Sequence, residues 1–125
     1  MRNIDFFGRV KILQNNMLKC DKCIFTVISP GYESLLDDML LSVRVNGEVP
    51  DVRLVVFVVN PDDNCMKVIN KHKAYPIMCQ SNTTNIDTKS VVYNIIHFVH
   101  ANKYIYLDSD VLVLQSLKPL FDLLD

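Results

Sequence analysis

Two carboxylates, Asp108 and Asp110, flank Ser109 directly after the apolar run Tyr104-Ile105-Tyr106-Leu107. If that run is a strand, alternation sends both acids to one side and turns Ser109 away. Like charges that close repel each other unless a cation lies between them. A hard divalent ion suits a pair of oxygen ligands, so Mg²⁺ or Mn²⁺ that also touches the phosphates of a ligand gives the pair a purpose. The other reading is a solvated strand end whose acids cap the turn near Ser116. A DxD is short and common, so its surroundings must separate the two.

The surroundings alternate short apolar runs with helical patterns. Cys23 to Ser29 is rich in β-branched and aromatic residues and stops at Pro30-Gly31, which predicts a buried strand and a turn. From Tyr32 to Val45, Leu35, Leu36, Met39, Leu40 and Val43 recur at helical spacing, and Asn46-Gly47 closes the helix. Val52 to Val59 is apolar nearly throughout, as a strand covered on both faces must be. Asn60-Pro61-Asp62-Asp63 supplies a cap, a proline at the first helical position and acids for the dipole of a helix running to about His72. Tyr75 to Cys79 predicts a third strand and 81–87 a polar loop. Thr88 to Asn102 predicts a long helix with Val91, Val92, Ile95, Ile96 and Val99 as one stripe. Lys103 to Leu107 and Val111 to Leu114 read as strand on either side of the acids, and Leu117 to Leu124 as a short helical turn around Pro119.

Such alternation implies βαβ crossovers: an α/β, Rossmann-like, mostly parallel sheet with helices on both faces. Ligands of such sheets sit beyond the carboxyl ends of the strands. That singles out the Ser29–Tyr32 loop and the Asp108–Asp110 loop.

With 125 residues, half of them hydrophobic, and a formal net charge of −1, the chain makes one small domain with a core. It lacks the basic footprint of a nucleic-acid binder and the composition of a disordered chain. Its apolar runs are too short to cross a bilayer, and Met1 to Lys19 does not read as a secretory signal, so a cytoplasmic setting is the default expectation. Cys20-Asp-Lys-Cys23 has the spacing of a zinc or redox pair, but Cys65 and Cys79 form no second such motif, which favours small buried or partly exposed thiols. His72, His97 and His100 have no paired acid or cysteine at ligand spacing and read as surface or packed side chains.

The segment from Tyr104 through Asp108-Ser109-Asp110 to Leu114, followed by Leu117 and Pro119-Leu120-Phe121, resembles the central segment of family-8 glycosyltransferases. That group contains glycogenin and bacterial galactosyltransferases. Thr88-Lys89 is similar to the Thr-Lys or Ser-Lys with which the family opens the helix before its DxD. Phe25 to Tyr32 is similar to the family's first strand and loop. The resemblance spans most of Cys23 to Asp125 in the same order. Ser29 and Pro30-Gly31 depart from the acid or Thr and the Asn that many members carry there, which leaves the nucleotide open.

The resemblance implies a GT-A type fold that transfers a hexosyl group, with retention, from a nucleotide-diphosphate sugar, most often UDP-linked. Asp108 and Asp110 would hold Mn²⁺ or Mg²⁺, and Lys89 would approach the donor's phosphates or sugar. Lys89 and Asp110 are thus the candidate catalytic pair; Val27, Ile28, Ser29, Tyr32, Asp108 and Ser109 would bind donor. Read without the family, Lys89 is an exposed lysine near a helix start, and Tyr32 divides evenly between packing and a base platform. The expected partners are the donor and an acceptor of protein, glycan or lipid nature, without nucleic acid; homodimer formation stays open. In the family a third metal ligand, a histidine, and the acceptor site come far downstream of the DxD. The sequence is therefore expected to be truncated: residues 1–22 an N-terminal extension, 23–125 the donor-binding part, the C-terminal half missing. Two rivals stand beside this reading. One is a phosphatase-type fold with a nucleophilic Asp, which wants Thr or Val where Leu112 stands. The other is a non-catalytic donor-binding or assembly module of the same fold.

Overall fold

The protein is described by a computed structural model covering residues 2–6, 10–14, 17–81 and 95–124, with side chains described for 17–81 and 95–124. The strands are β1 (Arg2–Phe6), β2 (Val10–Gln14), β3 (Leu18–Lys19), β4 (Lys22–Ile28), β5 (Arg53–Val59), β6 (Tyr75–Ser81), β7 (Val99–His100) and β8 (Lys103–Tyr106). The α-helices among the described residues are α1 (Glu33–Asn46), α2 (Asp63–Lys71) and a short α3 (Lys118–Leu123).

Six strands make one mixed sheet in the order β1-β2-β6-β5-β4-β8, and β3 pairs with β7 beside it. β6, β5, β4 and β8 run parallel, with Phe25 level with Val55 on one side and Tyr106 on the other. β1 and β2 add antiparallel strands at the β6 edge. Residues 1–22, expected as an extension, thus contribute three strands. Pairing with a remote edge leaves no local signature by which a sequence could announce it.

β5 is buried at every position after Arg53, as a strand with neighbours on both edges and cover on both faces requires. One face carries Ile24, Leu54, Val56 and Val58 against Leu36, Met39 and Leu40 of α1, Ile69 of α2 and Phe121 of α3. The other carries Phe25, Val55, Phe57 and Cys79 against Ile95, Phe98 and Val99. The three described α-helices lie on the first face; among the described residues the second is covered by the turn of 3₁₀ helix Ile95–His97 and the β3–β7 pair. The long helix expected to Asn102 is corrected over 95–102, while its 88–94 part lies outside the described residues. Chain reversal at Phe98, whose N–H donates to Ile95 O, lets Val99 and His100 pair with Leu18 and Lys19. The Tyr104 hydroxyl fixes this exit by donating to Val99 O at 2.6 Å and accepting from Ala101 N at 2.9 Å.

Two further expectations are adjusted. α2 is capped by Asp62, which accepts from Cys65 N at 2.9 Å, while Pro61 precedes the helix. Asn60, at φ +48°, ties β5 to β6 instead, exchanging two side-chain bonds with the Ser81 backbone. Val111–Leu114 is not a strand. Its backbone is held by α1: Val113 N donates to Ser42 Oγ at 2.8 Å, and Asn46 Nδ2 donates to Val113 O at 2.8 Å.

Cys23, Cys65 and Cys79 are buried and Cys20 half-buried, all four as free thiols. Burial pushes the Cys79 thiol up to about 12 and raises Cys20 and Cys23 as well, so the CxxC is a packed pair of protonated thiols.

Two predictions follow from polar groups inside this frame. Thr26 Oγ1 is buried without a hydrogen-bond partner among the described residues. An unsatisfied hydroxyl costs about 1 kcal/mol or more, so Thr26→Val should stabilise the fold by about that amount in urea unfolding. Asp37 on α1 accepts from His72 Nε2 at 2.5 Å and from Lys71 Nζ at 3.1 Å, joining α1 to the end of α2. The His72 bond first, then Lys71, hold the Asp37 carboxyl below its usual range. A lowered folded-state value adds stability above the ordinary Asp value of ~3.9 and loses it as pH falls through the depressed one. Asp37→Asn should therefore flatten the acid limb of a Tm–pH curve below about pH 4. At neutral pH it should cost no more than about 1 kcal/mol, since solvent screens a partly exposed pair.

Candidate functional site

β4 leads through α1 to β5 on one side, whereas β8 lies against its other side. Ligands of such sheets sit beyond the carboxyl ends of the strands, so the chain leaving these two neighbouring strands frames the candidate site. Phe25 is level with Tyr106, and Leu107 N donates to Phe25 O at 3.1 Å, so the chain beyond Val27 and the chain beyond Leu107 leave the sheet together.

From β4 the chain enters a turn over Ser29-Pro30-Gly31-Tyr32, closed by Tyr32 N donating to Ser29 O at 3.3 Å. Proline at the second position and glycine at φ +99° at the third make it type II, in which a side chain at the third position would be strained. α1 starts immediately afterwards. Beyond β8, Val111 N donates to Asp108 O at 3.1 Å, closing a second turn with Ser109 and Asp110 at its centre.

A cleft of about 260 Å³ lies between these turns, lined by Val27, Tyr32, Asp108, Ser109 and Asp110 together with Leu35 and Tyr106. Tyr32 is 53% exposed, and both carboxylates are exposed. The acids stand on a turn rather than on a strand tip, so strand alternation does not govern them and Ser109 faces the same cleft instead of turning away. The Tyr106 ring leans on Phe25, centroids 5.3 Å apart, which braces one wall.

The cleft brings together five of the residues singled out from the sequence. Ile28 is not among its lining; its side chain is 3% exposed and packed in the α1-side core. Ser29 spends its carbonyl on the turn. Lys89 lies outside the described residues. Leu35 and Tyr106 were not singled out. Tyr106 had a signal, since it closes the strand two residues before Asp108. Leu35 had none, being one more apolar position of an amphipathic helix. Among the described residues no group of three or more His, Cys, Asp or Glu side chains gathers in metal-binding fashion.

No protein-family model matches the chain, and no curated protein sequence matches it. Among solved structures, the fold is similar to the crystal structure of the apo-form glycosyltransferase GlyE of Streptococcus pneumoniae TIGR4, with a TM-score of 0.53 and 17% identity. The match covers 82% of this chain and 26% of that one, so this chain spans about a quarter of that protein's length. Over most of its length, then, the chain has the mixed α/β fold of a solved glycosyltransferase.

Proposed function

We propose that this chain is the donor-binding part of a metal-dependent glycosyltransferase of the family-8 kind, taking a hexosyl group from a nucleotide-diphosphate sugar, UDP-linked in the first instance. The carrying observation is one cleft at the carboxyl ends of β4 and β8 where two exposed carboxylates meet an exposed aromatic ring. The likeness to GlyE supports it through the fold.

Asp108 and Asp110 offer hard oxygen donors, which fits Mn²⁺ or Mg²⁺. When bound there, such an ion would offset the diphosphate's charge and stabilise the leaving group as the glycosidic bond breaks. Tyr32 presents a ring face to the base beside the apolar wall of Val27 and Leu35. The backbone from Val27 to Ser29 reads the base edge, Ser109 adds a hydroxyl, and Lys89 brings a point charge to the phosphates. Transfer proceeds with retention to an acceptor of protein, glycan or lipid.

Calorimetric titration of the chain with UDP, with and without Mn²⁺, tests this. Binding that requires the metal supports the reading. UDP binding with no sugar transfer marks a donor-binding module. Metal-dependent hydrolysis of a phosphomonoester without nucleotide binding would replace the reading by a phosphatase.

A further inference from the structure

Tyr32 owes its place to a turn that is weakly locked by its own backbone. The closing Tyr32–Ser29 bond is 3.3 Å long, near the limit for such a contact. Type I and type II turns differ by a flip of the central peptide, here Pro30–Gly31, and glycine tolerates either outcome. No side chain caps α1 at Tyr32. Left to itself, the ring that forms one wall of the cleft would have more than one stance.

Glu33, the first residue of α1, supplies a lock. Its Oε2 reaches back to accept from Gly31 N at 2.7 Å. The bond is charge-assisted, and the carboxylate sits at the positive end of the helix dipole, where it is favoured anyway. Because it grips the N–H of the central peptide, it selects one orientation of that peptide. Glu33 is not part of the cleft lining.

We propose that Glu33 is the positioning residue of this cleft: its carboxylate holds the Pro30–Gly31 peptide so that the Tyr32 ring stands ready for the base of the nucleotide. The inference rests on the nucleotide-sugar reading above. Ordering the ring before the ligand arrives removes an entropic cost from binding, which is where Glu33 acts.

The test combines an amide probe with a binding cycle. Hydrogen exchange at the Gly31 amide, followed by NMR, should speed up about tenfold in Glu33→Ala, the ratio set by a hydrogen bond of ordinary net strength, with partial recovery in Glu33→Gln. UDP affinity in the presence of Mn²⁺ should fall roughly three- to tenfold in Glu33→Ala and return in part in Glu33→Gln, while inorganic pyrophosphate with Mn²⁺ is not weakened. In a Tyr32→Ala background, Glu33→Ala should have no further effect on UDP. Additive losses, equal weakening of pyrophosphate, or unchanged UDP affinity in Glu33→Ala would overturn the positioning role and leave the nucleotide reading intact. If the wild-type chain binds no UDP while Gly31 exchange still depends on Glu33, the nucleotide reading falls and the lock on the turn stands.

Discussion

Asp110→Ala, and Asp108→Ala with it, should remove Mn²⁺-dependent UDP binding by at least about 100-fold. Removing even a partner that only orients a metal ligand costs 10- to 100-fold in affinity, and a direct ligand matters more. With one carboxylate gone, one of the two acids facing the ion is lost, and where the ion is not held the surviving acid repels the diphosphate. The effect should be separable from folding. Both side chains are exposed, and the turn that carries them is closed through the Asp108 carbonyl, which alanine retains. Surface changes of this sort stay within about 0.5 kcal/mol, so urea midpoints should hardly move. Calorimetry with UDP, Mn²⁺ and each variant reads the result. UDP binding that ignores both the metal and these substitutions would remove the ground for a cation seat.

The largest loss of stability should come from Phe57→Ala. Phe57 is 0% exposed at the middle of β5, with the Phe25 and Phe98 rings edge-on at centroid distances of 6.5 and 6.0 Å. Truncation removes a large buried side chain and leaves a cavity between rigid neighbours, at a cost of about 3–5 kcal/mol. A domain of this size is stable by only about 5–15 kcal/mol, so the variant should be marginal at room temperature. The same ring holds the strand beside β4 on the face opposite the helices, so its loss should also loosen the Phe98 turn. Leu114→Ser is the control. Leu114 is 78% exposed, and its replacement should leave the urea midpoint almost unchanged. Equal destabilisation by the two would contradict the assignment of the β5 core.

The central elements were legible because their signals are local. β4, β5, α1 and α2 fall within a residue or two of the ranges expected from apolar runs, helical spacing and Pro-Gly or Asn-Gly breaks. Where the reading failed, a distant partner had overridden a local pattern. Val99 fits a helical stripe by spacing, yet it pairs with Leu18, eighty-one positions earlier. Val111–Leu114 has strand composition, but Ser42 and Asn46 take both backbone groups of Val113, which a neighbouring strand would otherwise pair. β1 and β2 join the sheet through β6, which nothing within 1–22 announces.

For the candidate site, side-chain chemistry was readable and geometry was not. The spacing of Asp108 and Asp110, the apolar run before them and the Pro-Gly break before Tyr32 are properties of the chain alone, and they pointed to the two loops that meet. That Ser109 shares the cleft, that Tyr106 and Leu35 complete it, and that Glu33 grips Gly31 all depend on two turns closing at adjacent strand ends. Tyr32 and Asp108, which meet there, are seventy-six positions apart in the chain. Residue types set what a cleft can hold; only folding, through parallel pairing of β4 with β8, decides which of them share one.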